Sequence, residues 1–296
     1  YDAAIGICFA GALYLTSRSH VLRLFWLAVG VAALGAIIAS VSRSGFVTVI
    51  SIFGLWMVRF RRFNVLVYVL PGILIVGVGM FSVSDAWRDR MSTMTSSESR
   101  EADGSIMSRY VVGEYAIRAF ASNPITGVGF LQFGTWASTH VRAERQAGRG
   151  GTKGGAAHVN VGGAVHNSYL HVAAEMGIIG LVPYLAFLGF TWFDFSRAWL
   201  LAKRRLDDRE MKDLYYMAIL GQVAFFGALV DNLFLSSLRY KSIWLLFGLS
   251  TVVALLTRER MRLLGEEGAD STEEKGPLGS VAGLGDAPPL FPTPRC

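Results

Sequence analysis

The apolar positions of this chain are gathered into long runs separated by short charged segments, not spread singly at helical or strand spacing. Runs of that length, nearly free of charge, mark membrane-crossing helices more than the half-buried faces of a soluble domain. Seven spans are expected: residues 3–15, 22–40, 46–58 and 65–81, then 168–193, 214–235 and 243–256. The fourth carries Pro71 and several glycines, which membrane helices tolerate. The fifth is expected to bend or ease at Pro183.

Between the fourth and fifth spans lie residues 82–167, a polar stretch far longer than an ordinary connection. Within it, residues 91–99 read as flexible, and residues 106–121 read as a helix on the spacing of Ile106, Tyr110, Ile117 and Phe120. Asn123-Pro124 ends that helix. Residues 145–163 hold seven glycines and do not specify a fixed structure by themselves. Residues 258–296 pass from basic to acidic to Gly/Pro-rich and read as a disordered cytoplasmic tail. The expected fold class is all-α: a polytopic transmembrane helix bundle with one long periplasmic loop that contains a short helix. The chain opens on Tyr1 in apolar sequence, with no basic n-region or cleavage site, and further N-terminal spans are expected to be missing from it.

Composition fits this reading, with 52% hydrophobic and 17% charged residues. The net charge of +6 does not form a basic face or a reading motif, so a nucleic-acid partner is not expected. The basic residues instead punctuate the apolar runs, where they orient the chain in a membrane. Arg18, Arg61, Arg204 and the group Arg258, Arg260 and Arg262 alternate onto one side, which is the cytoplasmic one by that rule. The other side receives Arg43, the long loop with Arg109 and His166, and the connection from Arg239 to Lys241. In a bacterial cell this is the periplasmic face of the inner (plasma) membrane, and the protein is multi-pass. Cys8 and Cys296 offer neither a disulfide framework nor a metal spacing.

The candidate chemistry centres on His166, which ends the polar stretch and opens an apolar run. It reads either as a polar cap at the interface or as a general base, since histidine titrates near neutral pH. Asn167 or Ser168 would cap the helix that follows, leaving backbone N–H groups beside the imidazole and favouring an anionic ligand there. Glu175 lies two turns into the span, where a carboxylate must face protein or a wet cavity. It reads equally as a functional group and as a structural partner of His171, four residues earlier. Arg43 and Arg109 present planar forks suited to phosphate, although Arg43 also reads as an interface anchor and Arg109 as a solvated charge. Asp231 is a weaker candidate to pair with one of them. Gly127-Val128-Gly129 with Gly134 lacks the strand and spacing of a dinucleotide loop. His140, His158, His166 and His171 do not fall at zinc spacings, and neither metal nor cofactor is expected.

Taken in order, Ser42-Arg43-Ser44-Gly45 at a span boundary, Arg109 opening a helix, Asn123-Pro124-Ile125-Thr126-Gly127-Val128-Gly129-Phe130, His166-Asn167-Ser168-Tyr169-Leu170 and Glu175-Met176-Gly177-Ile178-Ile179-Gly180 resemble the O-antigen ligase and polymerase superfamily. The resemblance covers most of residues 20–257. It implies a metal-independent membrane glycosyltransferase of the GT-C type that moves a glycan from an undecaprenyl-pyrophosphate carrier to an acceptor hydroxyl on the periplasmic face. His166 would then activate the acceptor, and Arg43 and Arg109 would hold the pyrophosphate. The acceptor implied is lipid A core, a glycan or a protein. A polymerase joining lipid-linked repeat units needs the same donor site, so the two are not separated by sequence. A transporter of lipid-linked sugars is the alternative of a different class, but it would show internal repeats and charges within its spans.

Overall fold

A computed structural model of the chain describes residues 2–40, 43–59, 104–147, 165–235 and 241–273. The expected fourth span, residues 65–81, lies outside them, as do residues 91–99, the glycine-rich residues 148–164 and the tail beyond Glu273. The described residues form α1 (Asp2–Thr16), α2 (His20–Ala39), α3 (Arg43–Arg59), α4 (Gly104–Ser122), α5 (Phe133–Gln146), α6 (Ser168–Ala202), a 3₁₀ turn (Lys203–Arg205), α7 (Arg209–Asp231) and α8 (Lys241–Glu273). Among these residues there is no strand, and the molecule is an all-helical membrane bundle.

Four helices are long and apolar enough to cross a membrane, within α2, α6, α7 and α8. α1 and α3 are apolar but shorter, at 15 and 17 residues, which is about 22–26 Å at 1.5 Å per residue. Their pairing fixes the direction of each helix. Gly6 faces Ala33 and Ala10 faces Gly30, so α1 and α2 are antiparallel. Thr48 meets Asp231, while Ile52 packs over Gly227, so α3 runs against α7. At one end of the bundle, Ser168 meets Asn232 and Leu235. At the other, Ala202, Met211 and Leu264 pack together and Arg260 pairs with Asp208. The start of α3, the start of α6 and the end of α7 therefore share one end, and the basic turns after α1 and α6 share the opposite one.

The bundle core joins Ala4, Ile5 and Cys8 of α1 to Val49 and Ile52 of α3, Phe195 of α6, and Val223 and Phe225 of α7. Without a Cβ, Gly221 lets the Phe195 ring lie directly on the α7 backbone, the close approach by which helices associate in lipid. Arg59 turns into this bundle: it donates to Gln222 Oε1 at 2.8 Å and stacks over the Trp199 ring at 4.8 Å. A guanidinium drawn between apolar helices is held by such partners.

A second, smaller core sits at the Ser168 end and holds Val111, Val112, Tyr115, Ala116 and Ala119 of α4, Phe133 and Ala137 of α5, Val165, and Ala174 of α6. Helix α4 forms where expected, but it packs through that face and not through the stripe that first marks it as a helix. Tyr110 and Ile117 of the stripe are exposed. Helix α5 was not expected at all. The tail expected to be disordered from residue 258 is instead helical as far as Glu273, for reasons visible in its contacts. Leu264 buries itself against Met211, Arg260 pairs with Asp208 at 2.8 Å and Glu210 at 3.2 Å, and Arg262 bridges Glu259 and Glu266 along the helix.

Candidate functional site

Three consecutive residues set the site, and they alternate in environment. Val165 is buried in the outer core, His166 is exposed, and Asn167 begins a helix. Burial of the valine therefore anchors the histidine beside it. Asn167 is the N-cap of α6, with extended backbone and a side chain that accepts from Leu170 N–H at 3.0 Å. The next N–H, of Ser168, does not stay open to a ligand: it donates to the Asn232 carbonyl at 2.8 Å. The helix start expected to offer its N–H groups to an anion thus spends two of them inside the protein, because α7 ends against it.

Ser168, Asn232 and Tyr184 of that junction are buried. The Ser168 hydroxyl lies 2.7 Å from the Leu235 carbonyl and 3.2 Å from Asn232 Oδ1, Asn232 Nδ2 donates to the Tyr184 hydroxyl at 3.2 Å, and Tyr169 donates to the Leu229 carbonyl at 3.0 Å. Asn232 and Tyr184 are absent from the sequence-derived site. The one available signal was the adjacent polar pair Asp231-Asn232 closing an apolar run. Asn232→Ala removes a buried donor and acceptor together, and is expected to cost about 1–3 kcal/mol. Thermal denaturation of the detergent-solubilised protein measures this, and an unchanged midpoint would show that the network does not hold the junction.

Arg109 stands in the second turn of α4, exposed, and its charge reaches His166. Burial of part of the imidazole against the surrounding protein, then the neighbouring Arg109 guanidinium, hold the His166 pKa below its ordinary value. Both effects favour the neutral ring, the form that accepts a proton. Arg43 is the first residue of α3, at the same end of the bundle. Its side chain lies outside the described residues. Asp231, fully buried, takes Thr48 of α3 as its described partner, with Oδ1 at 3.4 Å from the threonine hydroxyl. The arginine pairing expected for it is not among its described contacts.

Glu175 pairs with His171 at 3.2 Å, and its carboxylate also accepts from the backbone N–H of Phe133 at 3.4 Å. It ties α6 to the turn that leads into α5. Just beyond it α6 breaks, and the break is at Gly177 (φ 60°, ψ −156°), not at Pro183, which sits inside the helix. The segment after α4 fills the gap. Val128 and Gly129 donate to the carbonyls of Ala174 and Glu175 at 2.9 Å each, and Ile178 and Ile179 donate to the carbonyls of Pro124 and Ile125 at 2.9 and 3.2 Å. In an unbroken helix those same N–H and carbonyl groups of α6 would bond to each other. The loop replaces them, as any break at membrane depth requires. Gly127 is therefore not part of a nucleotide loop. Its role is to lie flat on the Glu175 and Met176 backbone, where a Cβ would not fit.

Among the described residues no group of three His, Cys, Asp or Glu side chains is placed to hold a metal ion. The O-antigen ligase family model matches residues 28–185, just over half of the chain. The chain belongs to the O-antigen ligase family. No curated protein matches it. Membership places it among membrane glycosyltransferases of the O-antigen ligase or polymerase kind, acting on lipid-linked glycans. The matched stretch contains Arg43, Arg109, the docked loop, His166 and Gly177. Asn232, which completes the junction in this O-antigen ligase family member, lies beyond it, as does Asp231.

Proposed function

We propose that the protein transfers a glycan from undecaprenyl pyrophosphate to an acceptor hydroxyl at the periplasmic face of the bacterial inner membrane, as an O-antigen ligase. The observation that carries this reading is a histidine at the mouth of α6, its pKa lowered by partial burial and by the Arg109 charge, at one end of a membrane bundle. His166 takes the proton of the acceptor hydroxyl as its oxygen attacks the anomeric carbon. The bond from that carbon to the pyrophosphate oxygen breaks, and the carrier leaves as the pyrophosphate. Arg109, with Arg43 at the same end, holds the pyrophosphate and balances the charge that grows on it. Because α6 spends its first N–H groups on Asn167 and Asn232, the arginines carry most of that stabilisation. The acceptor is lipid A core, another glycan or a protein, and no metal takes part.

The test is the glycan profile of the native host carrying the full-length protein with His166→Ala, with lipid-linked and acceptor-linked chains separated. Long chains stranded on the carrier are expected for a ligase. Collapse to single repeat units would identify instead a polymerase that joins lipid-linked units. A wild-type profile would remove His166 as the base and return the transporter reading. The side of the membrane is tested by a reporter inserted near Gly150, expected in the periplasm, and one fused after Arg205, expected in the cytoplasm.

A further inference from the structure

The turn between α4 and α5 turns large apolar side chains outward: Ile125 is 64%, Phe130 68% and Leu131 52% exposed. Scattered single apolar residues on a surface need no explanation, but three within seven positions of one turn do. This turn is also held rigidly. Leu131 adopts φ 60°, a conformation that leucine rarely takes and that persists only where neighbours enforce it. The buried Glu175 carboxylate holds the end of this turn, accepting from the Phe133 N–H at 3.4 Å two residues on.

The position of the turn is equally fixed. The bond from Ile179 N–H to the Ile125 carbonyl sets Ile125 beside Ile179, which is 63% exposed on a helix long and apolar enough to cross a membrane. Ile178 and Val182 are exposed on the same helix. Exposed apolar side chains on such a helix face acyl chains. The exposed apolar side chain of Ile125 thus adjoins the exposed apolar face of that helix. Val128 and Gly129 bond one turn nearer the His166 end than Ile178 and Ile179 do, so Ile125 lies deepest and Phe130 and Leu131 lie above it.

We propose that Ile125, Phe130 and Leu131 form a wedge that inserts into the bilayer leaflet on the His166 side, its partner being the acyl chains of that leaflet. The wedge gives Glu175 a purpose beyond packing: it locks the turn in the one conformation that aims Phe130 and Leu131 at lipid. It also sets the height of the site, because α4, which carries Arg109, leads into the same turn.

The test uses the full chain with Cys8→Ser and Cys296→Ser, reconstituted in vesicles of phosphatidylethanolamine and phosphatidylglycerol. A spin label is attached through Ile125→Cys, Phe130→Cys, Ile179→Cys or Thr139→Cys, one at a time. Collision with oxygen, which partitions into lipid, is compared with collision with a water-soluble nickel chelate. At positions 125 and 130 oxygen is expected to win several-fold, as at 179, while exposed Thr139 on α5 gives the reverse. A label at 130 that behaves like one at 139 would overturn the proposal, as would one shielded from both reagents or a water-like signal at 179. Glycan transfer plays no part in the readout, so failure here leaves the proposed reaction standing.

Discussion

Arg109→Gln is expected to lower glycan transfer by roughly two to three orders of magnitude, the usual loss when one fixed donor is removed from developing charge in a shielded site. It is also expected to move the acid limb of the pH profile upward. The second effect follows from the electrostatics of the wild type. The His166 pKa lies below its ordinary value through burial first and the Arg109 charge second, so the basic form persists to lower pH than in a free histidine. Removing the positive charge makes protonation easier, the pKa rises, and the neutral base is lost at a higher pH. The contribution of burial remains, so the shift is partial. Arg109→Lys keeps the charge and loses the planar fork: the limb should stay near its wild-type position while the rate still falls. Both are read from transfer rates against pH with purified protein and lipid-linked donor. A slow Arg109→Gln enzyme with an unmoved limb would show that the arginine does not act on His166.

Gly127→Ala is expected to be the most damaging single methyl added to the described chain. At φ 68° the alanine carries backbone strain, and its Cβ would lie 2.5 Å from Met176 N and nearer still to the Glu175 carbonyl group. Undocking the loop forfeits the four backbone bonds that bridge the break at Gly177. Strain of about 1–3 kcal/mol and about 0.5–1.5 kcal/mol for each lost bond point to at least about 3 kcal/mol. That corresponds to a fall in melting midpoint of roughly 10 °C. Gly177→Ala should behave alike, since its Cβ would lie 2.7 Å from Gly127 N and closer to the Ile125 carbonyl. Gly113→Ala is the control: nothing lies within 4 Å of its Cβ, and alanine favours a helix by up to about 1 kcal/mol over glycine. Equal midpoints for Gly127→Ala and Gly113→Ala would dismiss the lock.

Much of the bundle was legible along the chain because a helix in lipid must satisfy its own backbone, which makes a span a local property. The apolar runs of α2, α6, α7 and α8, the helix at α4 and a cap at Asn167 or Ser168, which the structure places on Asn167, are all of this kind. Helix α5 was missed because its buried residues Phe133 and Ala137 are few and sit among polar neighbours. The bend of α6 was assigned to Pro183 because proline removes a helical N–H locally. Gly177 breaks the helix instead because residues 124–129, some fifty positions earlier, supply the replacement bonds. The length of α8 also had a distant cause, in Asp208, Glu210 and Met211. Hydropathy, charge order and capping act over a few residues, so a membrane bundle with a histidine at a helix mouth and arginines on the same side can be read along the chain. Folding alone brings the Arg109 charge to bear on His166, sets Asn232 on the helix start, and closes Glu175 and Gly177 on the loop. Each of these relations joins segments far apart in sequence, and no local pattern encodes which partner arrives.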